Sequence, residues 1–534
     1  MQFSGNSALF LGSFIAYIAL MILIGWFASR KVSKGGTAFL TGGGHLPVFL
    51  TVCTAAATLI GTGGTMGRTG QAFSGGLACF GYVIVGPVTL LILAFVFTPM
   101  RSKNFITMGQ EIQYYYYGGD INVRRVAGVL TFLTEMCYIA SHMTGGAKYL
   151  QFITGYDPLL CKVICLLGFT VYVWLGGYLA VVWTDAIQLG VILIGFFSIF
   201  AKVSSMINGL DEISSTFIAA GQPEALIPFG ATNSTILISA ISLFVASLLG
   251  ELGVSTHRHR IYTSKDAASA KKSFIITAIV ALCFVFIPVY LGMATRVIAT
   301  KAGVADALLA NQDMTFAYLC TEVLGGGMGL LLMIAGLSAT LSSGDSDTMA
   351  ATTILIKDVI PSIKGKTIPE SEVKGFSRKA LLISLSIAFL LTLLANDFIS
   401  FLNNVFGALM PALAVATLVG RFSKRVTPAA GISCMIGGTF FGLCYLLIQP
   451  LKAAISSTFG GPAIPVALLS LVIIVVVSMM TKRPDLSEDQ ILDIVLADAK
   501  WSNFSFSKKW DAMVSVPFLV FYTLSCNQNF FLVY

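Results

Sequence analysis

Long apolar runs separated by short polar stretches follow one another along most of the chain. About thirteen of these runs are long enough to cross a bilayer as α-helices, since about 20 apolar residues span its hydrocarbon core. They lie near 8–28, 44–72, 77–99, 124–152, 158–175, 180–204, 234–255, 273–298, 316–357, 376–396, 399–420, 427–450 and 463–482. A weaker apolar run over 511–534 is a candidate for a further helix. The pattern therefore predicts an all-α polytopic membrane protein.

The composition agrees with this interpretation. Of the 534 residues, 56% are hydrophobic and 11% are charged, and the mean hydropathy is +0.85. Such a chain has too little polar surface for a large soluble protein. The net charge of +8 would suit an acidic partner, but in a membrane protein the position of Lys and Arg matters more than their sum.

The basic residues fall mainly on one side of the predicted helices. If the N-terminus lies outside, most of them are in cytoplasmic loops, among them Arg30, Arg101, Arg124, Arg258, Arg260, Lys271, Lys366, Arg421 and Lys482. Cytoplasmic loops of membrane proteins carry an excess of Lys and Arg. We therefore expect a multi-pass protein of the plasma membrane with its N-terminus outside, in contact with the lipid bilayer and without a nucleic-acid partner.

Two of the predicted helices contain segments that are unfavourable for a continuous helix. The second carries AAATLIGTGGTMGRTG, Ala55 to Gly70, and the seventh carries GELGVSTH, Gly250 to His257. Backbone groups freed by a break are tolerated in a membrane mainly where they line a cavity. Two broken helices five apart are typical of a five-plus-five inverted-repeat transporter, which holds solute and ions at the breaks. The alternative is close packing through small residues, which Gly63 and Gly67 also allow.

The stretch GLSATLSSGDSDTMAATTILIKD, Gly336 to Asp358, places oxygen-bearing side chains inside an apolar helix. One face of that helix carries Ala339, Ser342, Ser343 and Ser346. Hydroxyls beside the free carbonyls of a broken helix form an oxygen-only site that suits sodium. The alternative is that each serine bonds to a carbonyl one turn earlier in its own helix.

Three aspartates also lie in predicted helices. A charge at the bilayer centre costs roughly 3 kcal/mol or more, so we expect Asp345 to face water, a cation or a hydrogen-bond donor. Asp347 is nearer the cytoplasmic end of the same helix, and we expect its carboxylate to be solvated. Asp185 is near the start of the sixth predicted helix, where a solvated carboxylate is again the expectation.

These motifs resemble those of a known family. GGYLAVVWTDAIQ, Gly176 to Gln188, looks like the signature of the sodium:solute symporter family, and the serine-bearing helix ending in KDVI resembles that family's matching helix. The AAATLIG break and the HRIYTSKDAASAKKS loop, His259 to Ser273, also follow its pattern. The resemblance implies a LeuT-like inverted-repeat transporter, not an enzyme. Its expected parts are an extra helix in 1–43, two five-helix repeats in 44–204 and 205–420, and peripheral helices in 421–534.

The resemblance also implies ion sites. The family's common sodium site would use the backbone oxygens of Ala57, Ile60 and Ala339 and the hydroxyls of Ser342 and Ser343. Some members hold a second sodium, for which the matching residues are Asp185, Ser342, Asp345 and Ser346. Asp345 stands where a hydroxyl is frequent in such members, so the number of sodium ions stays open.

The solute is less closely specified. PMRSKNFITM and TEMCY resemble the choline carriers of the family, which hold a quaternary ammonium between aromatic faces. The matching positions here are Leu59, Tyr138 and Val254, so we expect choline not to be the solute. The expected cavity contains Thr58, Thr62, Tyr138, Glu135, Glu251 and Arg68, with His142 nearby. Arg68 either binds a solute carboxylate or pairs with one of the two glutamates, and pairing is favoured because an intramembrane charge usually finds a partner.

The sequence thus predicts a secondary active transporter that carries a small organic solute, such as a carboxylate or amino acid, together with sodium. One alternative is a sensor that keeps the transporter fold without transport. The other is an intramembrane aspartyl protease using Asp157 and Asp345. The protease is disfavoured because its two carboxylates must be close together, whereas the predicted topology puts Asp157 at the outer surface and Asp345 in the inner half.

Overall fold

The computed structural model describes residues 7–30, 35–117, 120–393 and 406–496. Within these ranges the chain forms helices joined by turns and short loops, which confirms the all-α prediction. The first eleven α-helices are α1 (Ser7–Ser29), α2 (Gly36–Thr41), α3 (Val48–Leu59), α4 (Arg68–Gly75), α5 (Phe80–Ile92), α6 (Met108–Tyr115), α7 (Ile121–Thr154), α8 (Pro158–Ser204), α9 (Gly209–Ala219), α10 (Ser234–Gly253) and α11 (Ser255–Thr263). The others are α12 (Ala267–Lys301), α13 (Ala305–Leu309), α14 (Thr315–Tyr318), α15 (Gly326–Ile354), α16 (Ile360–Lys364), α17 (Glu370–Thr392), α18 (Met410–Phe422), α19 (Pro428–Leu447), α20 (Gln449–Phe459), α21 (Ala463–Met480) and α22 (Glu488–Leu496).

Among the described residues, ten helices are long and apolar enough to cross a membrane. Three shorter apolar helices accompany them, namely α3, α18 and the first part of α8, Pro158–Val171. The number of thirteen transmembrane helices stays a prediction. The apolar run over 511–534 and the start of the run over 399–420 lie outside the described residues. The division of the chain at residues 43, 204 and 420 also stays a prediction.

The second predicted helix is broken where its glycines cluster. α3 ends at Leu59, and a regular α-helix resumes only with α4 at Arg68. Between them the chain makes a π-helical turn over Gly63–Gly67. A Cβ atom at Gly61 would collide with the side chain of Ser343, so a glycine is needed for α15 to approach this closely. The predicted break is confirmed.

A second break separates α10 from α11. Val254, the residue between them, has an extended backbone with a φ of −77° and a ψ of 135°. This confirms the predicted interruption of the seventh helix. The long helix α8 is also bent, because Gly177 within it has a φ of 60° and a ψ of −164°. A positive φ favours glycine, and a Cβ there would lie 2.7 Å from the ring of Phe39. The sequence places the boundary between its fifth and sixth helices at this point.

Helix α15 lies at the centre of the bundle. It packs against α8, α7 and α3, and every residue from 335 to 354 is buried. The two broken helices lie beside it and meet at one end, where Leu46 and Ser264 form a parallel bridge. There Leu46 N donates to Thr263 O at 3.0 Å, and Lys265 N donates to Leu46 O at 3.1 Å. The start of α3 is thereby joined to the end of α11.

Three arginines that the sequence pattern assigns to cytoplasmic loops lie inside helices. Arg124 is in α7, and Arg258 and Arg260 are in α11, and none of their side chains is exposed. A buried charge requires a partner, and Arg258 Nη1 donates to the carboxylate of Glu111 at 2.8 Å. The predicted loop over His259–Ser273 is therefore wrong, since this segment contains the end of α11 and the start of α12.

Candidate functional site

Two serine hydroxyls of α15 reach the end of α3. Ser342 Oγ donates to Ala57 O at 3.0 Å, and Ser343 Oγ donates to Thr58 O at 2.9 Å. Both hydroxyls also lie near Ala339 O of their own helix, at 3.2 and 3.1 Å. A hydroxyl has a single hydrogen to donate, so each serine shares it between its own helix and the broken one.

These oxygens form a compact and uncharged group. The last carbonyls of a helix lack partners within that helix, and α3 ends at this point, with Ile60 as its first non-helical residue. The structure brings together four of the predicted sodium ligands, Ala57, Ala339, Ser342 and Ser343, and all are buried, as is Ile60. Carbonyl and hydroxyl oxygens without a carboxylate can hold a cation of modest charge. The sodium assignment itself stays a prediction.

Asp185 lies inside the bundle and not at a solvated surface. Its Oδ2 atom accepts hydrogen bonds from Thr54 Oγ1 at 2.5 Å and from Ser346 Oγ at 3.3 Å. The expectation of a solvated Asp185 is wrong because α3 and α15 both pack against α8. Of the residues predicted for a second sodium, Asp185 and Ser346 are therefore in contact, and Ser342 is one turn away. Asp345 is also completely buried.

A buried arginine contacts the same serine. Arg260 Nη2 donates to Ser346 Oγ at 2.8 Å and also to Thr58 Oγ1, and Arg260 Nη1 donates to Thr256 O at 2.9 Å. Arg260 is not among the residues that the sequence predicts for the site. The sequence feature that could have indicated a role for Arg260 is the presence of two arginines shortly after a predicted helix break. A positive charge thus lies beside the oxygens predicted for a second sodium.

Asp347 is buried as well, which contradicts its predicted position at a solvated inner mouth. Its side chain is only 3% exposed, and its Oδ2 atom lies 3.1 Å from His142 Nε2. Its Oδ1 atom accepts a hydrogen bond from Thr256 Oγ1 at 2.8 Å. The solvated reading fails because α7 and α11 cover this face of α15, which a periodicity argument along one helix does not reveal.

A cavity lies beside the two helix breaks. The predicted solute residues that line it are Thr58, Arg68, Tyr138 and Glu251. The three positions matched to the choline cage, Leu59, Tyr138 and Val254, line the same cavity. Polar and aromatic lining residues that were not predicted for the site include Tyr82, Ser247, Thr256, His257 and Phe406. Of these five, Thr256 and His257 fall in a motif that the sequence singles out, the break from Gly250 to His257.

The two other predicted solute residues, Thr62 and Glu135, are not among the residues that line the cavity. Thr62 Oγ1 is 2.9 Å from His142 Nδ1 and donates to Thr340 Oγ1 at 3.1 Å. Glu135 Oε1 accepts the backbone N–H groups of Ser255 and Thr256 at 2.9 and 3.0 Å. These are the first N–H groups of α11, which have no partner within the helix. Glu135 therefore caps α11 from a neighbouring helix.

Arg68 forms no direct salt bridge with Glu135 or Glu251, so the predicted pairing is not made as a contact between these side chains. Glu251 Oε2 lies 2.6 Å from His257 Nε2, and Glu135 is held by the start of α11. Among the residues that the structure describes, none accepts a hydrogen bond from Arg68, although its side chain is buried. Its guanidinium carbon lies 5.8 Å from the centre of the Tyr82 ring. Arg68 thus lines the cavity without a direct ion pair, although the carboxylate of Glu251 in the same cavity interacts with its charge.

The two aspartates of the protease alternative have different surroundings. Asp157 is exposed and caps the start of α8, where its Oδ1 atom accepts the N–H of Leu159 at 2.8 Å. Asp345 is completely buried within α15. A helix-capping carboxylate at the surface is not available for the shared-proton arrangement that such a protease requires.

Comparison with known proteins gives a consistent result. The chain matches the sodium:solute symporter family over residues 39–438. The sodium/glucose cotransporter of Vibrio parahaemolyticus is 24% identical over 503 residues, which cover 88% of this chain and 90% of that protein. The sodium/pantothenate symporter of Haemophilus influenzae is 25% identical over 457 residues, which cover 82% of this chain and 89% of that protein.

A solved structure shares the fold. A Na⁺-coupled sialic acid symporter, in a substrate-bound outward-open state, aligns with a TM-score of 0.71 and 18% identity, and the alignment covers 90% of this chain and 99% of that one. This likeness confirms the predicted LeuT-like fold.

Proposed function

Because the chain belongs to the sodium:solute symporter family, we propose that it carries a small organic solute with a carboxylate group through the plasma membrane by alternating access. Membership of this family makes sodium the coupling ion and makes the protein a multi-pass membrane transporter, not an enzyme. The class of solute, the ligands of the ion and the orientation with the N-terminus outside belong to the proposal.

The contact of Ser342 and Ser343 with the end of α3 carries the proposal. A sodium ion bound by the oxygens of Ala57, Ile60, Ala339, Ser342 and Ser343 would hold the broken helix against α15. Thr58 follows directly on Ala57 and lines the cavity, so the ion would order one wall of the solute site. The solute must then raise the affinity for sodium by the same factor as sodium raises that for the solute.

A second sodium at Asp185, Ser342, Asp345 and Ser346 is a weaker part of the proposal. The contact between Asp185 and Ser346 supports it, whereas the guanidinium of Arg260 beside Ser346 opposes it, because like charges repel strongly where water is excluded. The sodium dependence of transport distinguishes the two cases, since two coupled ions give a Hill coefficient above one.

The charge of the cavity supports a carboxylate on the solute. Arg68 is buried without a direct ion pair, and a buried charge that lacks one is unfavourable until a counter-ion arrives. Thr58, Tyr138 and Glu251 are the other predicted solute residues that face the cavity, while Thr62 and Glu135 would act through His142 and Thr256. A cation at the cavity also disfavours choline. The relatives described above are named for both acidic and uncharged solutes, so the charge of this chain's own cavity is the better guide.

The sodium site can be tested without knowing the solute. A ligand that binds only the folded state stabilises it, by about 2.7 kcal/mol at a concentration 100 times its Kd. We expect sodium, and not potassium, to raise the Tm of the purified chain, and Ser342→Ala and Ser343→Ala to remove most of this increase. Ser377→Ala is a matched control, because Ser377 is a buried serine on α17 that bonds to Val373 O within its own helix. Equal stabilisation by both cations, or unchanged behaviour of the two site variants, would reject the site.

A further inference from the structure

Glu251 and His257 face each other across the break between α10 and α11. Glu251 is the third residue from the end of α10, His257 is the third residue of α11, and the extended residue Val254 lies between the two helices. The distance from Glu251 Oε2 to His257 Nε2 is 2.6 Å. This contact, which we call the staple, holds the two half-helices together at the unwound segment.

The staple also lines the solute cavity. The side chain of Glu251 is 20% exposed, whereas that of His257 is 3% exposed, so the carboxylate is the more accessible partner. His257 offers the carboxylate an N–H donor, and an ammonium group offers the same type of contact with a full positive charge. A solute ammonium that enters the cavity can therefore replace His257 on Glu251.

Arg68 supplies the complementary charge in the same cavity. The other acidic side chain that lines it, Asp347, is already held by His142 and Thr256. The cavity thus holds a buried cation without a direct ion pair, Arg68, and a partly exposed carboxylate, Glu251, and the two charges attract each other at longer range. On the basis of the proposed function, we propose that the solute is a zwitterion of the amino-acid type, with its carboxylate on Arg68 and its ammonium on Glu251 in place of His257.

Other classes of solute satisfy fewer of these groups. An uncharged sugar leaves the buried guanidinium of Arg68 without a counter-ion. A simple carboxylate neutralises Arg68 but leaves the staple closed. A zwitterion satisfies Arg68 and also separates Glu251 from His257, which frees α10 from α11 at the break. Recognition of the ammonium is thus coupled to a change at the point where the helix can bend.

The test compares solutes that differ only in their charged groups. The purified full-length chain is titrated with each standard amino acid, its des-amino carboxylate and its decarboxylated amine, in sodium and in potassium, and the Kd is obtained from the rise in Tm. At least one amino acid should bind roughly tenfold or more tightly than both of its analogues, since a hydrogen bond to a charged group has about this value. The proposal is overturned if no amino acid binds, or if the des-amino carboxylate binds equally well.

Variants of the staple give a second criterion. Glu251→Gln should weaken the binding of the amino acid until it equals that of its des-amino analogue. His257→Gln should strengthen the binding of the amino acid and leave that of the analogue unchanged, because the competitor for Glu251 is weakened. Glu322→Gln makes the same chemical change at an exposed acid outside the cavity. It should alter neither the binding of the amino acid nor that of its des-amino analogue. Unchanged selectivity in both staple variants would reject the role of Glu251.

The salt comparison separates this inference from the proposed function. Binding that is equally strong in potassium and in sodium would reject sodium coupling at the proposed site. The difference in Kd between an amino acid and its des-amino analogue tests the zwitterion proposal in either salt. Sodium-dependent binding of a sugar or a simple carboxylate alone would retain the symport proposal and reject the zwitterion.

Discussion

The carboxylate of Asp347 lies 3.1 Å from the imidazole of His142, and both side chains are more than nine-tenths buried. Thr256 donates to the other oxygen of the same carboxylate. One aspartate thus joins α15 to α7 and to α11, at the edge of the cavity. Any movement of α11 away from α15 must break the contact with Thr256.

Asp347→Asn should destabilise the protein by about 1–3 kcal/mol, because it leaves buried polar groups with a poorer partner. Combining it with His142→Gln in a double-mutant cycle should give less than the sum of the two single effects, since the residues are in contact. Thermal unfolding measures both quantities. Asp211→Asn, on the exposed side of α9, is the control and should have little effect. Strict additivity of the two changes would show that the contact is not made.

Gly61→Ala should weaken sodium binding by roughly tenfold, the equivalent of about 1.4 kcal/mol. The added Cβ collides with Ser343 and moves its hydroxyl away from the end of α3. The measurement is the sodium concentration that gives half of the maximal thermal stabilisation. Gly190→Ala is a suitable control, because a Cβ at that position in α8 has no neighbour within 4 Å. The same sodium affinity in both variants would contradict the close packing of Gly61 on Ser343.

Gly177→Ala should lower the stability by about 1–3 kcal/mol, because an alanine is strained at this φ and ψ and its Cβ meets Phe39. The Tm in sodium is a sufficient measurement. Gly168→Ala, in the first part of α8, adds a Cβ that reaches only Ile18 at 4.0 Å. It should leave the Tm unchanged or raise it slightly. A Tm of Gly177→Ala equal to that of the control would mean that α8 is not bent at this residue.

Arg124→Ala should destabilise the protein by about 3–5 kcal/mol, because it leaves a buried carboxylate uncompensated. Arg124 Nε lies 2.6 Å from Asp358 Oδ1, and neither side chain is appreciably exposed. The adjacent Arg125 is only partly buried and donates to Asn122, so Arg125→Ala should cost far less. The free energy of unfolding of the two variants is compared by chemical or thermal unfolding. Similar losses of stability in both variants would contradict the buried ion pair of Arg124 with Asp358.

Acid should loosen the docking of α22. Lys103 forms an ion pair and a hydrogen bond with Glu488 and thereby lowers the pKa of Glu488 from its ordinary value of 4.5. A carboxyl with a lowered folded-state pKa stabilises the fold above its ordinary pKa and loses this contribution as the pH falls through the lower value. The side chain of Glu488 is 64% exposed, so water screens the pair and we expect a contribution of less than about 1 kcal/mol.

Hydrogen-exchange protection of the α22 amides measures this effect. Protection should fall in wild-type protein as the pH decreases below 4.5, and it should change much less in Glu488→Gln, which cannot titrate. Asp489→Asn, at the neighbouring exposed position, should behave like wild type. A parallel loss of protection in all three proteins would assign the acid sensitivity to other groups.

The helix breaks and the serine site were predictable because their signals are local. Glycines clustered in an apolar run, such as those around Gly61, interrupt a helix regardless of its neighbours. The spacing of Ser342 and Ser343 fixes the face on which they lie, whatever packs against it. The resemblance to the family added the partners of that face, which spacing alone does not give.

The buried charges were not predictable in the same way. Asp185, Asp347 and Arg260 look like loop-side charges in the sequence, because each is close to an expected membrane surface. Their burial depends on packing between helices that are distant in sequence, and a single sequence contains no direct signal of it. The positions of Tyr82 and Phe406 in the cavity wall likewise depend on packing between helices that are distant in sequence. Periodicity identifies which face of a helix is polar, but not which group from another helix meets it.

The bridge between Leu46 and Ser264 joins the half-helix α3 to the half-helix α11. Arg101 reinforces it, since its Nε donates to Ser264 O at 2.6 Å and its Nη2 donates to Gly44 O at 2.8 Å. The start of α3 and the end of α11 are therefore held together, on one side of the two breaks at Gly61 and Val254. Under the proposed function, this linkage would pass a movement of α3 at the ion site on to α11 beside the solute cavity.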